Sequence, residues 1–243
     1  MLYFIGGNLP PIFVYGVLMD QEQILSMIEQ LREGFEFSVG IFAFTILFSI
    51  PLGLLISKGR MSKNRVISSV FRFYISVMRG TPLMLQLLLV YFGPYYLFGV
   101  TTGNIEIGPF NYRFIASIIG FSLNYAAYFA EIFRGGIQSM PRGQYEAAQV
   151  LGFTRIQTYF KIILPQVFKR VLPSVTNEVI TLVKDTSLAQ VLAVTEMFTV
   201  AKNLASAQVS VIPFIAAGIF YYMFNLLVEV VMGRIEKSMS YYS

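Results

Sequence analysis

The side chains in this 243-residue chain that are able to do chemistry sit inside its most apolar stretches. Ser117, Asn124, Tyr128 and Glu131 follow one another at spacings of seven, four and three, which places them on one face of a helix. Glu178, Thr181 and Asp185 repeat at three and four, with Lys184 beside them. An ionisable group at bilayer depth costs at least about 2.5–3.5 kcal/mol unless it faces protein or water. Two readings stay open for the stripes: they line a solute path, or they hydrogen-bond helices to one another. Lys184 and Asp185 likewise either line a path or neutralise neighbours. Glu131 and Glu178 have a third option, a weak helix-end ion pair with Arg134 or Lys169. With no His and no Cys, the chain lacks the usual nucleophile–base pairs and the commonest transition-metal ligands, so neither catalytic residues nor a metal site are expected.

The elements that must position these groups are membrane helices. Hydrophobic residues make up 56% of the chain and charged residues 13%, and the mean hydropathy is +0.64, outside the range of soluble domains. The net charge of +5 comes from bases beside apolar spans, where lipid headgroups explain them better than nucleic acid does. Residues 1–20 lack a basic n-region, and no cleaved signal peptide is expected. Four stretches are long enough to cross a bilayer: Phe37–Ser57, Thr81–Val100, Phe114–Phe133 and Val209–Val231. Before the first, Ile24, Leu25, Ile28 and Leu31 oppose Glu22, Glu29 and Glu33 over Gln21–Gly34. That pattern predicts an amphipathic helix, either lying on the membrane or of the ordinary water-facing kind.

Charge asymmetry orients the spans. Lys58, Arg60, Lys63, Arg65, Arg72 and Arg79 follow the first span. Arg134, Arg142, Arg155, Lys161, Lys169 and Arg170 follow the third, and Arg234 and Lys237 close the chain. These segments are expected in the cytoplasm, with Arg32, Arg113 and Lys202 opposite. Parity then requires two crossings between Val171 and Gly233, where only one clean span exists. The hidden crossing is Leu172–Val194, which carries Glu178, Lys184 and Asp185, and the total is five.

The cytoplasmic segment from Arg134 to Arg170 is long for a helix connection. Gln144–Leu151 predicts two helical turns, Gly152 a left-handed cap, and Thr154 with Gln157 a capping box opening a second helix, interrupted at Pro165. The small Ala147 and Ala148 let the first of these helices sink into a partner's groove, with Glu146 offered to a basic residue; a loop resting on headgroups fits the composition as well.

Glu146-Ala147-Ala148, then Gly152, Ile162, Leu164 and Pro165 at fixed spacing, resembles the EAA signature of the permease subunits of ABC importers. "MRGTPLMLQLLLVYFG" (Met78 to Gly93), "AEIFRGGIQSMPRGQYEAA" (Ala130 to Ala148) and "LVKDTSLAQVLAVTE" (Leu182 to Glu196) extend the likeness to the polar amino acid subfamily, permeases for histidine, glutamine, arginine or cystine. The resemblance covers about Gly34 to Lys237. It implies an all-α, type I ABC importer permease fold in a bacterial or archaeal cell membrane, with five transmembrane helices, an N-terminal interfacial helix and a cytoplasmic coupling helix. The division is then residues 1–34 as an N-terminal segment, 35–237 as the transmembrane domain with its coupling region at 134–170, and 238–243 as a tail.

The resemblance also implies an ATPase dimer that holds ATP and Mg, an extracytoplasmic solute-binding protein, a second permease subunit and an amino acid substrate. The segment holding Glu146, Ala147, Ala148, Gly152, Ile162, Leu164 and Pro165 is the implied ATPase-coupling element. Independently, the chain has no phosphate-binding G-x-x-x-x-G-K-[ST] run, which places nucleotide chemistry on another polypeptide. A free amino acid is zwitterionic and needs an acceptor and a donor; Asn124, Tyr128, Lys184, Asp185, Thr186 and Ser187 offer both. The alternative is an ion-coupled secondary transporter or channel without an ATPase, with Glu178, Lys184 and Asp185 as a relay. Cysteines placed singly at Ser62, Ser139 and Ser238 of this cysteine-free chain should react only with cytoplasmic reagent, and those at Thr102 and Asn203 only with external reagent. External labelling at position 139 would invert the topology.

Overall fold

The structure, a computed structural model, describes residues 20–100, 106–107 and 110–239. The readings for residues 1–19 and for Thr102 lie outside them. Helix α1 spans Gln21–Arg60, 40 residues or about 60 Å. Asp20 caps it, accepting from the Gln23 amide at 2.8 Å while Gln23 returns a bond to the Asp20 amide. The separate interfacial helix expected over 21–34 is therefore corrected: it is the first third of α1, and the division at residue 34 falls inside a continuous helix. The physical reason is at Gly34, where a Cβ would lie 2.9 Å from the Met197 Cα. That close approach binds the segment to the bundle, and Met27 and Leu31 are buried with Met197, Ala201 and Ala217. Ile24, Leu25 and Ile28 remain exposed, because the buried stripe runs through Met27, Leu31, Gly34, Ser38, Ile41 and Thr45.

The segment read as a basic connector contains α2 (Arg65–Gly80), capped by Asn64. Helix α3 (Leu83–Phe98) follows across a break at Thr81-Pro82, with the two axes bent by 112°. Each half has 16 residues, about 24 Å of helix, short of the roughly 30 Å of a hydrocarbon core. Ile75 is buried with Ile56, Ala126, Ala127 and Ala130, and Phe71, Tyr74 and Met78 pack against that group. Arg65, Ser69, Arg72, Ser76 and Arg79 recur at helical spacing on an exposed stripe, and those arginines mask the apolar period in the sequence.

A two-residue antiparallel ladder, β1 (Glu106–Ile107) with β2 (Phe110–Asn111), leads into α4 (Tyr112–Gln138). Then come α5 (Arg142–Val150), α6 (Arg155–Gln157), a π-helical turn at Thr158–Ile163, α7 (Leu164–Asp185) and a 3-10 turn at Thr186–Leu192. Helices α8 (Met197–Gln208) and α9 (Ile212–Ser238) complete the bundle. Two expectations change here. Helix α7 starts eight residues before Leu172, and α9 starts three residues after Val209, which lies at φ 48° and closes α8.

Contacts fix the directions of the helices. Gly40 lies against Phe114 and Gly53 against Phe129, so α1 and α4 run parallel. Tyr112 reaches Val90 and Asn124 reaches Gln86, so α3 opposes α4. Gly136 meets Val171 and Tyr125 meets Asp185, so α7 opposes it too. Phe35 packs on Phe220 and Phe42 on Phe224, so α9 runs with α1. Among the described residues, helices α1, α4 and α9 are long and apolar enough to cross a membrane by themselves, and the bent α2–α3 pair has the composition of a broken span or a re-entrant loop. Helix α7 carries too much charge to qualify on composition, as its sequence announced.

The α1–α4 contact is a small-residue interface, the way helices approach closely where lipid provides no hydrophobic drive. A Cβ at Gly53 would stand 2.8 Å from the Phe129 Cβ and 3.1 Å from the Ala126 carbonyl. Gly53→Leu should therefore destabilise the fold by about 1–3 kcal/mol or more, read as a lower melting temperature of the purified chain. Gly218→Ala, with nothing within 4 Å of the added carbon, should leave that temperature unchanged or slightly raised.

Candidate functional site

Between the α2–α3 break, α4 and α7 lies a cavity of about 130 Å³. Thr81 and Leu83 line it from the break, Asn124, Tyr125 and Tyr128 from α4, and Glu178, Thr181 and Asp185 from α7. The two stripes read from the sequence therefore meet, but they do so selectively. Of the six residues assigned to a solute path, Asn124, Tyr128 and Asp185 converge on the cavity. Lys184 is exposed outside it, and the hydroxyls of Thr186 and Ser187 bond the carbonyls of Val183 and Lys184 in the turn that ends α7.

Asn124 is committed to structure. Its Nδ2 donates to the Met78 carbonyl at 3.0 Å and to Gln86 Oε1 at 2.9 Å, while Gln86 Nε2 bonds the carbonyls of Met78 and Thr81 and the Thr81 hydroxyl. Thr81 in turn donates to the Val77 carbonyl at 2.8 Å. This network holds the interrupted helix by supplying donors to carbonyls that the break leaves without intrahelical partners. Tyr125, 2% exposed, donates to Asp185 Oδ2 at 2.7 Å and fixes that carboxylate at the cavity wall. Glu131, one turn beyond Tyr128, is occupied by Arg134 at 2.6 Å with Arg60 at 3.9 Å, the helix-end pair that the sequence allowed. Ser117 points away from solute, bonding the Phe114 carbonyl.

Sequence reasoning missed Tyr125, Thr81 and Gln86. The last had a visible signal, a lone amide inside the apolar run Leu83–Val90. Tyr125 had none, because it is adjacent to Asn124 and only the real packing brings it to Asp185.

At the basic end of the bundle, α5 closes with the bond pattern of a Schellman cap: Gly152 donates to Gln149 and Phe153 to Ala148, with Gly152 at φ 76°. The Thr154–Gln157 capping box forms as expected. Pro165 does not interrupt the second helix. The π turn before it widens the backbone, so the missing N–H and the ring are absorbed and α6 runs through to α7. Glu146 and Ala147 are exposed, whereas Ala148 is 1% exposed and packs into this chain, so of the alanine pair only Ala147 faces outward. Ile162 and Pro165 line a cleft of about 810 Å³ behind α5, and Leu164 is half-buried beside them. Gln144 bonds Gln166 at 3.2 Å, tying the start of α5 to α7, and the Ser139 carbonyl, at the C-cap of α4, accepts from Arg170 of α7 at 2.6 Å.

Residues 49–241 match the family described as binding-protein-dependent transport system inner membrane component. The chain is 35% identical over 214 residues, 87% of each protein, to the L-cystine transport system permease protein TcyB of Bacillus subtilis (strain 168). It is 32% identical over 222 residues to the arginine transport system permease protein ArtQ of the same organism, covering 91% of this chain and 97% of the relative. A crystal structure of an amino acid ABC transporter with histidines superposes with a TM-score of 0.78 at 29% identity, over 91% of this chain and 99% of that one. The inward-facing methionine transporter MetNI, at 15% identity and a TM-score of 0.67, shares the fold. A carrier or channel working without an ATPase is not favoured by these relationships. The chain belongs to the binding-protein-dependent transport system inner membrane components: it is a multi-pass permease subunit of an ABC importer, which works with a separate ATPase, an external binding protein and a second permease subunit.

Proposed function

We propose that this permease imports polar amino acids, and that the cavity between the helix break, α4 and α7 is its solute site. The carrying observation is the convergence of Glu178, Asp185, Thr181, Tyr128 and Thr81 in one mid-bundle cavity, which supplies carboxylate acceptors for an ammonium and the Tyr128 hydroxyl as a donor for a carboxylate. The Thr81 and Thr181 hydroxyls are donated to carbonyls of their own helices. The names of the curated relatives, permeases for cystine and arginine among them, support the solute class. A second support is the outer face of α7, where Arg170, Ser174, Asn177, Thr181 and Lys184 are all exposed at helical spacing. Such a ladder is tolerable at bilayer depth only beside water, and it leads from the cavity toward the α5 end.

The basic ends of α1, α4 and α9 lie in the cytoplasm, and α1 begins outside. ATP and Mg act on the partner ATPase, and α5 is the element that senses them. Glu146 and Ala147 face the partner, with Val150 and Leu151, 87% and 73% exposed, at the helix end. Motion of the ATPase reaches the cavity through the Gln144–Gln166 and Ser139–Arg170 ties and along α7, alternately opening the path to either side.

Two experiments test this reading. In proteoliposomes holding permease, ATPase and binding protein, Asp185→Asn should keep basal ATP hydrolysis and lose stimulation by amino acids. Asn124→Leu, which strips the donor from Met78 and Gln86 at about 1–3 kcal/mol, should instead lose assembly. An unaltered amino acid response in Asp185→Asn would remove the cavity from the path. Gly152→Val forces a β-branched residue into left-handed backbone, costing about 1 kcal/mol or more, and should uncouple transport while insertion persists. Normal transport by that variant would reduce α5 to a headgroup-facing connector.

A further inference from the structure

The cavity wall is chemically lopsided. Glu178 and Asp185 give it two carboxylates, and among the described residues no Lys or Arg lines it. Lys184, the cation that the sequence offered, projects elsewhere. A zwitterion entering such a site gains at its ammonium and is repelled at its carboxylate unless a positive charge lies within reach. One cation is placed to provide it. The Arg79 guanidinium sits 5.1 Å from the centre of the Tyr128 ring, and that ring is cavity wall.

Arg79 is the penultimate residue of α2, two positions before Thr81, which also lines the cavity. It forms no ion pair within 4 Å among the described residues, since Glu131 is taken by Arg134 and Arg60. The side chain is exposed, which leaves its guanidinium open to a solute beside the ring. Stacking on an aromatic face leaves the N–H fork of an arginine available, and that fork matches a carboxylate in two parallel bonds.

We infer that Arg79, seated on the Tyr128 ring, is the specificity-determining residue that receives the solute's α-carboxylate, while Glu178 and Asp185 receive its ammonium or a cationic side chain. This rests on the proposed solute cavity. It gives the site a polarity: the carboxylate points to the α2 end and the positive groups of the solute toward α7. It also assigns Tyr128 a positioning role, through its ring rather than its hydroxyl.

The test measures binding to the assembled permease–ATPase complex in lipid nanodiscs. Radiolabelled L-arginine and L-glutamine serve as probes, and each is competed by its own unlabelled acid and by the corresponding α-carboxamide. Wild type should prefer acid over amide by about ten-fold or more, the scale of a charge-assisted bidentate contact. Arg79→Gln should bring that ratio close to unity. Tyr128→Leu, which removes the seat, should reduce it as well, whereas Tyr128→Phe, which keeps the ring, should preserve it. A wild-type acid-to-amide ratio retained in both Arg79→Gln and Tyr128→Leu would overturn the assignment while leaving the cavity in place. Binding of neither probe by wild type, with L-cystine also failing, would overturn the cavity reading itself and this inference with it.

Discussion

One interruption governs this bundle. The backbone breaks between Gly80 and Leu83, between two apolar helix halves bent by 112°, and leaves helix-end carbonyls that need donors. The break survives because two side-chain amides and a hydroxyl close it: Gln86 and Asn124 converge on Met78, Gln86 also bonds Thr81, and Thr81 turns back to Val77. Removing Gln86 or Asn124 leaves a buried polar group uncompensated, which costs more than the bond contributes when present. The same break carries Thr81 and Leu83 to the cavity and leaves Arg79 at its mouth. Irregular backbone is tolerated there because protein amides and a hydroxyl cover it on one side and it borders the cavity on the other.

Helix α4 is the axis on which everything else is measured. On one side, Ala126, Ala127 and Ala130 admit α1 at Gly53 and α2 at Ile75, a contact of small residues with little tolerance for added volume. On another, Asn124, Tyr125 and Tyr128 face the break and α7. Because successive α4 residues serve different neighbours, the cavity and the packing of three helices are tied to one element. Helix α7 then links the ends. Its first turns are tied to α5 through Gln166 and to the end of α4 through Arg170, and its last residue, Asp185, is held by Tyr125. A displacement of α5 therefore has a path of continuous helix, about 33 Å long, to the carboxylate at the cavity.

What could be read from residues alone was local or compositional. Spans of apolar residues, the basic loops, the parity that forced a charged crossing, the Gly152 cap and the Thr154 box all depend on nearest neighbours along one helix or on the cost of charge in lipid, and these signals do not need a partner element. The sequence also determined that Glu178, Thr181 and Asp185 share a face with one another, and Asn124 with Tyr128, because helical period is fixed. Tertiary structure decided which of those faces meet. It placed Lys184 outside the cavity, since a residue adjacent to Asp185 points about 100° away from it. It gave Asn124 to the helix break, brought Tyr125 to Asp185 across 60 residues of chain, and turned Ala148 inward beside an outward Ala147. It also fused the amphipathic N-terminal segment to the first span, because the close approach of Gly34 to Met197 joins positions distant in sequence. Period and composition are properties of one helix; the burial and hydrogen-bond partners of a side chain are properties of two, and only the packed bundle specifies the second.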